Sequence, residues 1–240
     1  MSSYSAYGHT FKIDRPLNFV EEIIEDSPDF NVLKSENLNF NHRKISPDIA
    51  EFYKDGVGKF RILNGTEIQY SLHSYEDESF EKSLLYLAIP IIFYQKGYLV
   101  MHASCVHING QTIMFCGKKG SGKSTYCQHY LLKGGFITED RCVINTSGKD
   151  QVTFNSQISI MKLKDTTKKN KNLILDKVLI EDDELGRSCY KLDRTVHNKS
   201  ITEYKIDHCV FLNWGEELSL MDTDYENIFL NSFNNSLKSQ

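Results

Sequence analysis

The stretch "GKKGSGKST", Gly117 to Thr125, limits this chain more than any other. It fits the pattern G-x-x-x-x-G-K-[ST], with Gly117, Gly122, Lys123 and Ser124 at the fixed positions. Glycines there let backbone N–H groups turn inward around phosphate oxygens. Such a loop needs a strand before it and a helix after it. "QTIMF" reads as the strand, and "STYCQHYLLKGG" as a helix closed by glycine. The helix is expected over about Lys123 to Leu132, its positive end facing the phosphates. Lys123 would reach the β- and γ-phosphates, and the Ser124 hydroxyl would meet Mg²⁺. The candidate nucleotide contacts are Gly117, Gly120, Ser121, Gly122, Lys123, Ser124 and Thr125.

Two further features lie on either side of the loop. "GGFITEDRCVIN" follows it. A strand over Phe136 to Thr138 would bring Glu139 and Asp140 to the carboxyl edge of a sheet, where α/β proteins bind ligands. One carboxylate of such a pair can hold Mg²⁺, and the other can take a proton from an attacking hydroxyl. Away from a phosphate loop, the same pair would read as a solvated acidic turn. Before the loop, Asn109-Gly110 predicts a two-residue type I′ hairpin. Its register sets Ile108 against Gln111, Val106 against Ile113 and Ala103 against Cys116. Continued by one residue, it places His102 opposite Gly117. An imidazole there could orient or tune a general base, or meet the transferring phosphoryl group.

The rest of the chain bounds the class. It has 240 residues, 40% hydrophobic and 25% charged, enough for an ordinary packed core. The net charge of −4 argues against a general nucleic-acid binder. "MSSYSAYGHTFKID" has no apolar h-region, so no signal peptide is expected. The apolar run from Leu84 to Tyr94 is shorter than the roughly 20 residues of a membrane span. It reads as a buried helix, kinked or ended near Pro90. Six cysteines (Cys105, Cys116, Cys127, Cys142, Cys189 and Cys209) form no C-x-x-C pair, as expected of small buried residues in the cytoplasm.

Residues 1–75 read as a small β-rich region and 76–240 as the nucleotide-binding core. "AYGHTFKI" and "KFRILNGTEIQYSL" are strand-like, with a hairpin turn at Asn64-Gly65. "NVLKSENLNFNHRKISPDIAEFYKDG" gives no clear element. "DESFEKSLLYLAIPIIFYQKG" reads as a helix, with Glu78 and Glu81 in its first turn and Gly97 closing it. From Tyr98 on, the order strand, turn, strand, glycine loop, helix, strand is that of an α/β core. The basic run with Lys162, Lys164, Lys168, Lys169 and Lys171 reads as a solvated loop. Arg187, Lys191, Arg194 and His197 lie in "RSCYKLDRTVHNK". Lys191 and Arg194 are candidates for an additional transition-state cation by composition alone.

With His102 before the loop, "GKKGSGKST" and Glu139-Asp140 after it, the chain resembles the HPr kinase/phosphorylase-related serine kinases. It is most similar to the single-domain kinases encoded beside lasso-peptide precursors. "AYGHTFKIDRPL", "FRILNG" and "YQKGYLVMHASCV" look like the corresponding stretches of those kinases, with weaker likeness through "ISIMKLKD" and "YKIDHCVFLNW". The resemblance implies an α/β fold: a P-loop core like the HPr kinase C-terminal domain and PEP carboxykinase, behind a small β-rich N-terminal part. It implies ATP and Mg²⁺ as cofactors. It also implies a precursor peptide as partner, phosphorylated on a serine near its C-terminus, with no nucleic acid or membrane involved. Lys123 and Mg²⁺ would neutralise the phosphates, Ser124 and Glu139 would hold the metal, and Asp140 would take the serine proton with help from His102. The roles of Glu139 and Asp140 are interchangeable at this level. Glu139 stands where the family usually has Asp, and a longer side chain can still bind Mg²⁺. The glycine-rich C-terminal signature of true HPr kinases is not found here, which turns the expectation away from HPr. Three alternatives stay open: a nucleotide-binding regulatory or NTPase module, an HPr kinase, and a small-molecule kinase of the same fold. Oligomeric state is not set by the sequence, a homo-oligomer included.

Overall fold

The computed structural model describes residues 1–20, 22–40, 42–73, 77–131, 141–147, 153–155, 160–164, 175–180, 187–192 and 203–213. The chain is mixed α/β, and its described residues are mostly sheet with few helices. It divides into two compact units, Met1–Val100 with Ser156–Ile158, and Met101–Asn155 with Ser159–Gln240.

The first unit is built on strands β1 (Ser2–Ala6), β2 (His9–Ile13), β3 (Glu22–Ile23), β4 (Phe30–Lys34), β5 (Lys44–Ile45), β6 (Ile49–Lys54), β7 (Gly58–Leu63) and β8 (Glu67–Leu72). They form one eight-stranded sheet in the order β3-β1-β2-β4-β8-β7-β6-β5. Alternate residues of β7 and β8 point inward, so Phe60, Ile62, Ile68 and Tyr70 are buried and their neighbours less so. "AYGHTFKI" is not one strand: Tyr7 and Gly8 both take positive φ and turn β1 back onto β2. Tyr7 is held there by its hydroxyl, which donates to the Leu85 carbonyl at 3.1 Å, and by an edge contact with Phe93.

The apolar run lies in this unit too. α1 (Asp77–Ser83) leads into a π-helical turn, Leu84–Ala88, and then α2 (Ile89–Gln95). Pro90 sits at the start of α2, where its missing N–H costs least. The π turn lies just before the proline, and the Ile89 N–H reaches back to the Leu84 carbonyl. The helix therefore changes pitch before Pro90 and resumes. Gly97 ends it with positive φ, and the Tyr98 N–H returns to the Phe93 carbonyl at 2.9 Å. Glu81 is buried in this helix rather than facing solvent, and accepts the backbone N–H groups of Asn18 (2.8 Å) and Phe19. The unit extends past residue 75, where the strand-like pattern ends, because this helical run lays its buried face on the sheet.

β9 (Leu99–Met101) leads onward to the second unit. There β10 (Ser104–Ile108), β11 (Gln111–Gly117) and α3 (Lys123–Leu131) follow in turn. After them come β12 (Cys142–Asn145), β13 (Thr153–Asn155), β14 (Ile160–Lys164), β15 (Leu175–Ile180), β16 (Arg187–Leu192), β17 (Glu203–Lys205) and β18 (His208–Leu212). One sheet runs β10-β11-β18 and another β14-β16-β15, while β13 pairs with both β12 and β17. β10 and β11 are antiparallel, and β11 and β18 are parallel. α3 packs on β10 and β11: Phe115 stacks on Tyr126 and Tyr130, and the Cys127 thiol points to the Cys105 carbonyl.

The strand expected over Phe136 to Thr138 lies outside the described residues. So do Glu139, Asp140, Arg194, His197 and the lysines at 168, 169 and 171. Among the described residues no helix is long and apolar enough to cross a membrane.

Candidate functional site

β11 ends at Gly117, the chain loops through Lys118 to Gly122, and α3 begins at Lys123. Three glycines make this path: Gly117 at φ +140°, Gly120 at +86° and Gly122 at +97°. Side chains rarely adopt such angles, so the loop needs glycine for its shape. Gly117 has a second reason. A Cβ there would lie 2.3 Å from the Leu212 carbonyl oxygen and 2.7 Å from Ser121 Oγ. The loop is thus wedged between its own turn and the end of β18.

Lys123 closes the loop from the helix side. It is 5% exposed, and its Nζ donates to the carbonyl oxygens of Gly117 (2.8 Å) and Lys118 (3.0 Å). Those bonds satisfy part of a buried ammonium's demand for acceptors. The Ser121 N–H donates to the Lys118 carbonyl at 3.1 Å and tightens the turn. Ser121 Oγ is buried with no hydrogen-bond partner among the described residues. An orphaned hydroxyl costs free energy unless something else meets it. Ser124 is half-buried, whereas Lys118, Lys119, Gly120 and Thr125 are exposed. The chemistry of this set suits an anion. An ammonium, the first N–H groups of a nine-residue helix and a spare hydroxyl converge on one loop. Phosphate, and so the polyphosphate of a nucleotide, fits these residues.

The hairpin register agrees with the expectation over five pairs, from Ile108–Gln111 to Ser104–Phe115. Asn109 and Gly110 both take positive φ, as the type I′ turn requires. Pairing stops there. Ala103 and His102 lie beyond the ladder, and Gly117 is aligned with Leu212 of β18. The Ala103 carbonyl accepts the Cys142 thiol at 3.5 Å. The expected Ala103–Cys116 and His102–Gly117 pairs are therefore not part of the sheet, because β10 begins only at Ser104. His102 is half-buried, two residues before the first paired position. Of the expected magnesium ligands, Ser124 follows Lys123 in α3, and Glu139 lies outside the described residues. No group of three or more His, Cys, Asp or Glu among the described residues is placed to hold a metal.

Sequence reasoning missed β18 as the parallel partner of the loop strand. Asp207 fixes its start: its carboxylate accepts the Thr112 N–H at 2.8 Å, and its own N–H donates to the Thr112 carbonyl at 3.0 Å. The sequence pattern presents the cysteines only as small buried residues. Cys116, one residue before the loop, lies with its Sγ 3.6 Å from that of Cys209 on β18. That hydrogen bond, and then burial, push the Cys116 thiol up, while the same bond draws Cys209 down. Either thiol can donate in that contact, and Cys209 is the more acidic of the two.

No protein-family model matches the chain, and no curated protein matches it. Among solved structures, the chain is similar to the Hpr(Ser) kinase/phosphatase from Coxiella burnetii, at 12% identity and a TM-score of 0.34. The match covers 52% of this chain and 66% of that one, so the chain spans just under two thirds of that protein's length.

Proposed function

We propose that the chain is an ATP- and Mg²⁺-dependent kinase that phosphorylates a serine hydroxyl of a ribosomally made, lasso-type precursor peptide in the cytoplasm. The observation that supports it best is the loop around Lys123. A buried ammonium bridges two loop carbonyls beside an orphaned Ser121 hydroxyl and a helix N-terminus. Bound there, the magnesium complex of ATP supplies the transferable phosphoryl group. Lys123 and the loop N–H groups would offset phosphate charge and fix its orientation. Ser124 and one of Glu139 and Asp140 would hold the metal. The other carboxylate, Asp140 in our assignment, would take the proton from the serine oxygen, with His102 orienting it. Catalysis of this kind is mostly positioning and electrostatics.

The test is to incubate the purified chain with labelled ATP, Mg²⁺ and candidate precursor peptides, each with a Ser→Ala control. Label on the serine peptide and none on its alanine control is the expected result. ATP binding with no labelled peptide would remove the peptide-kinase reading. Phosphate released to water would then favour the NTPase module, and label on a free metabolite the small-molecule kinase.

A further inference from the structure

Cys116 and Cys209 stand on adjacent parallel strands, and Cys116 is bonded directly to the first glycine of the loop. The register aligns Met114 with Cys209 and Cys116 with Phe211, so the two cysteines are diagonal neighbours. Their sulfurs are nevertheless 3.6 Å apart. We propose that Cys116 and Cys209 form a reversible disulfide, made by peroxide, that pulls the glycine loop out of its binding shape. The effect on nucleotide binding rests on the kinase reading above; the disulfide itself does not.

Access and reactivity divide between the two thiols. Cys116 is 1% exposed, whereas Cys209 is half-buried and meets solvent. Cys209 is also the more acidic member of the pair, because its bond to Cys116 draws its thiol down. It attacks the O–O bond of hydrogen peroxide, forming a sulfenic acid and a hydroxide that takes up a proton to become water. The Cys116 sulfur then attacks the sulfenic sulfur. The S–S bond forms, the S–O bond breaks, and the leaving hydroxide departs as water with the Cys116 proton. Two thiols and one peroxide give one disulfide and two waters, with two electrons passed.

A second close pair supplies the contrast. The Cys105 and Cys142 sulfurs are 3.5 Å apart, but both residues are fully buried. Proximity alone does not select the reactive pair; exposure does.

Geometry makes the bond consequential. On strands about 4.8 Å apart, a two-residue offset at about 3.3 Å per residue sets the Cα atoms about 8 Å apart. A relaxed disulfide spans roughly 4.4–6.8 Å there, with sulfurs about 2.05 Å apart. Closing the bond must therefore draw Cys116 along β18. Gly117 follows in the chain, where even a Cβ would lie 2.3 Å from the Leu212 carbonyl oxygen. The bond forms under strain, and strained disulfides are the readily reduced, regulatory ones.

The experiment treats the reduced full-length chain with hydrogen peroxide, then blocks free thiols. Non-reducing peptide mass spectrometry reads the link, hydrogen exchange at residues 117–122 reads the loop, and a binding isotherm reads ATP. We expect a Cys116–Cys209 peptide, faster exchange in the loop and an ATP affinity about tenfold weaker. Thiol reductant should restore all three, and Cys105 and Cys142 should stay reduced. Cys209→Ser should bind ATP like the reduced chain and ignore peroxide. No link at full oxidation overturns the proposal, as does a link with unchanged loop exchange. An equal loss of affinity in oxidised Cys209→Ser also overturns it. A reduced chain that binds no ATP counts against the kinase reading alone, since the link and the loop are read without nucleotide.

Discussion

Lys123 is bound to the loop it follows: its Nζ donates to the Gly117 carbonyl at 2.8 Å, six residues back in the chain. The bond joins the first residue of α3 to the last of β11, and with it the two ends of the glycine loop. Replacing Lys123 by Met keeps the buried stem and removes the charge. A charge-assisted bond contributes about 1.5–3 kcal/mol. ATP affinity should fall roughly 10- to 150-fold, with the fold retained by circular dichroism. An isotherm showing unchanged affinity in Lys123→Met would separate the loop from nucleotide binding.

Gly117→Ala tests the wedge on the other side. The added methyl would meet the Leu212 carbonyl oxygen at 2.3 Å, a backbone atom with nowhere to yield, and the Ser121 hydroxyl at 2.7 Å. The φ of +140° adds strain of its own. We expect a loss of about 1–3 kcal/mol from strain alone, seen as a lower denaturation midpoint with an unchanged m-value. Gly120→Ala is the comparison, because a Cβ at Gly120 meets nothing within 4 Å. Its φ of +86° leaves strain but no collision, so it should cost less. Equal losses in the two variants would contradict the wedge.

Local chemistry accounts for what was legible in advance. Asn109-Gly110 and Asn64-Gly65 turn where such pairs must, because both residues of each pair accept positive φ. The loop and helix α3 follow from glycine spacing and a glycine-ended apolar pattern. Tyr7-Gly8 was hidden, since a tyrosine seldom takes positive φ. It does so here because burial against Phe93 and a bond to Leu85 hold it, and both partners are distant in sequence. The parallel pairs β2-β4, β4-β8 and β11-β18 were equally hidden. No local signal specifies which distant strand lies alongside. The His102 expectation shows the same limit within one hairpin. A turn fixes register only as far as the ladder continues, and this one stops at Ser104.

His102→Ala separates a kinase from a simple nucleotide switch. Assistance to a general base contributes of the order of 10²-fold or more to a rate. Serine-peptide phosphorylation should fall by about that factor, while ATP affinity stays as in the parent chain. The measurement is single-turnover transfer from labelled ATP beside an ATP isotherm. If transfer proceeds at the parent rate, His102 has no part in the chemistry. If affinity falls in step with rate, it acts through the loop's shape instead.

His9 gives the first unit a pH dependence of defined sign. Its ring packs against Phe93 at 4.9 Å and Tyr98 at 5.8 Å between centroids, and burial lowers its affinity for protons. Asp29, 3.4 Å away, opposes that effect, and Lys96 adds to it. The net direction is down from the ordinary value of 6.5. The unfolded chain therefore binds the proton more readily. Stability contributed by neutral His9 is complete above about pH 6.5 and is lost as pH falls below it. His9→Gln removes that titration while keeping a polar side chain. Melting temperatures taken between about pH 5 and 8 should show the parent chain losing stability more steeply on the acid side than the variant. The two curves should run parallel above neutrality. Curves that stay parallel throughout would mean that His9 is as readily protonated folded as unfolded, and that its aromatic packing does not exclude the charge.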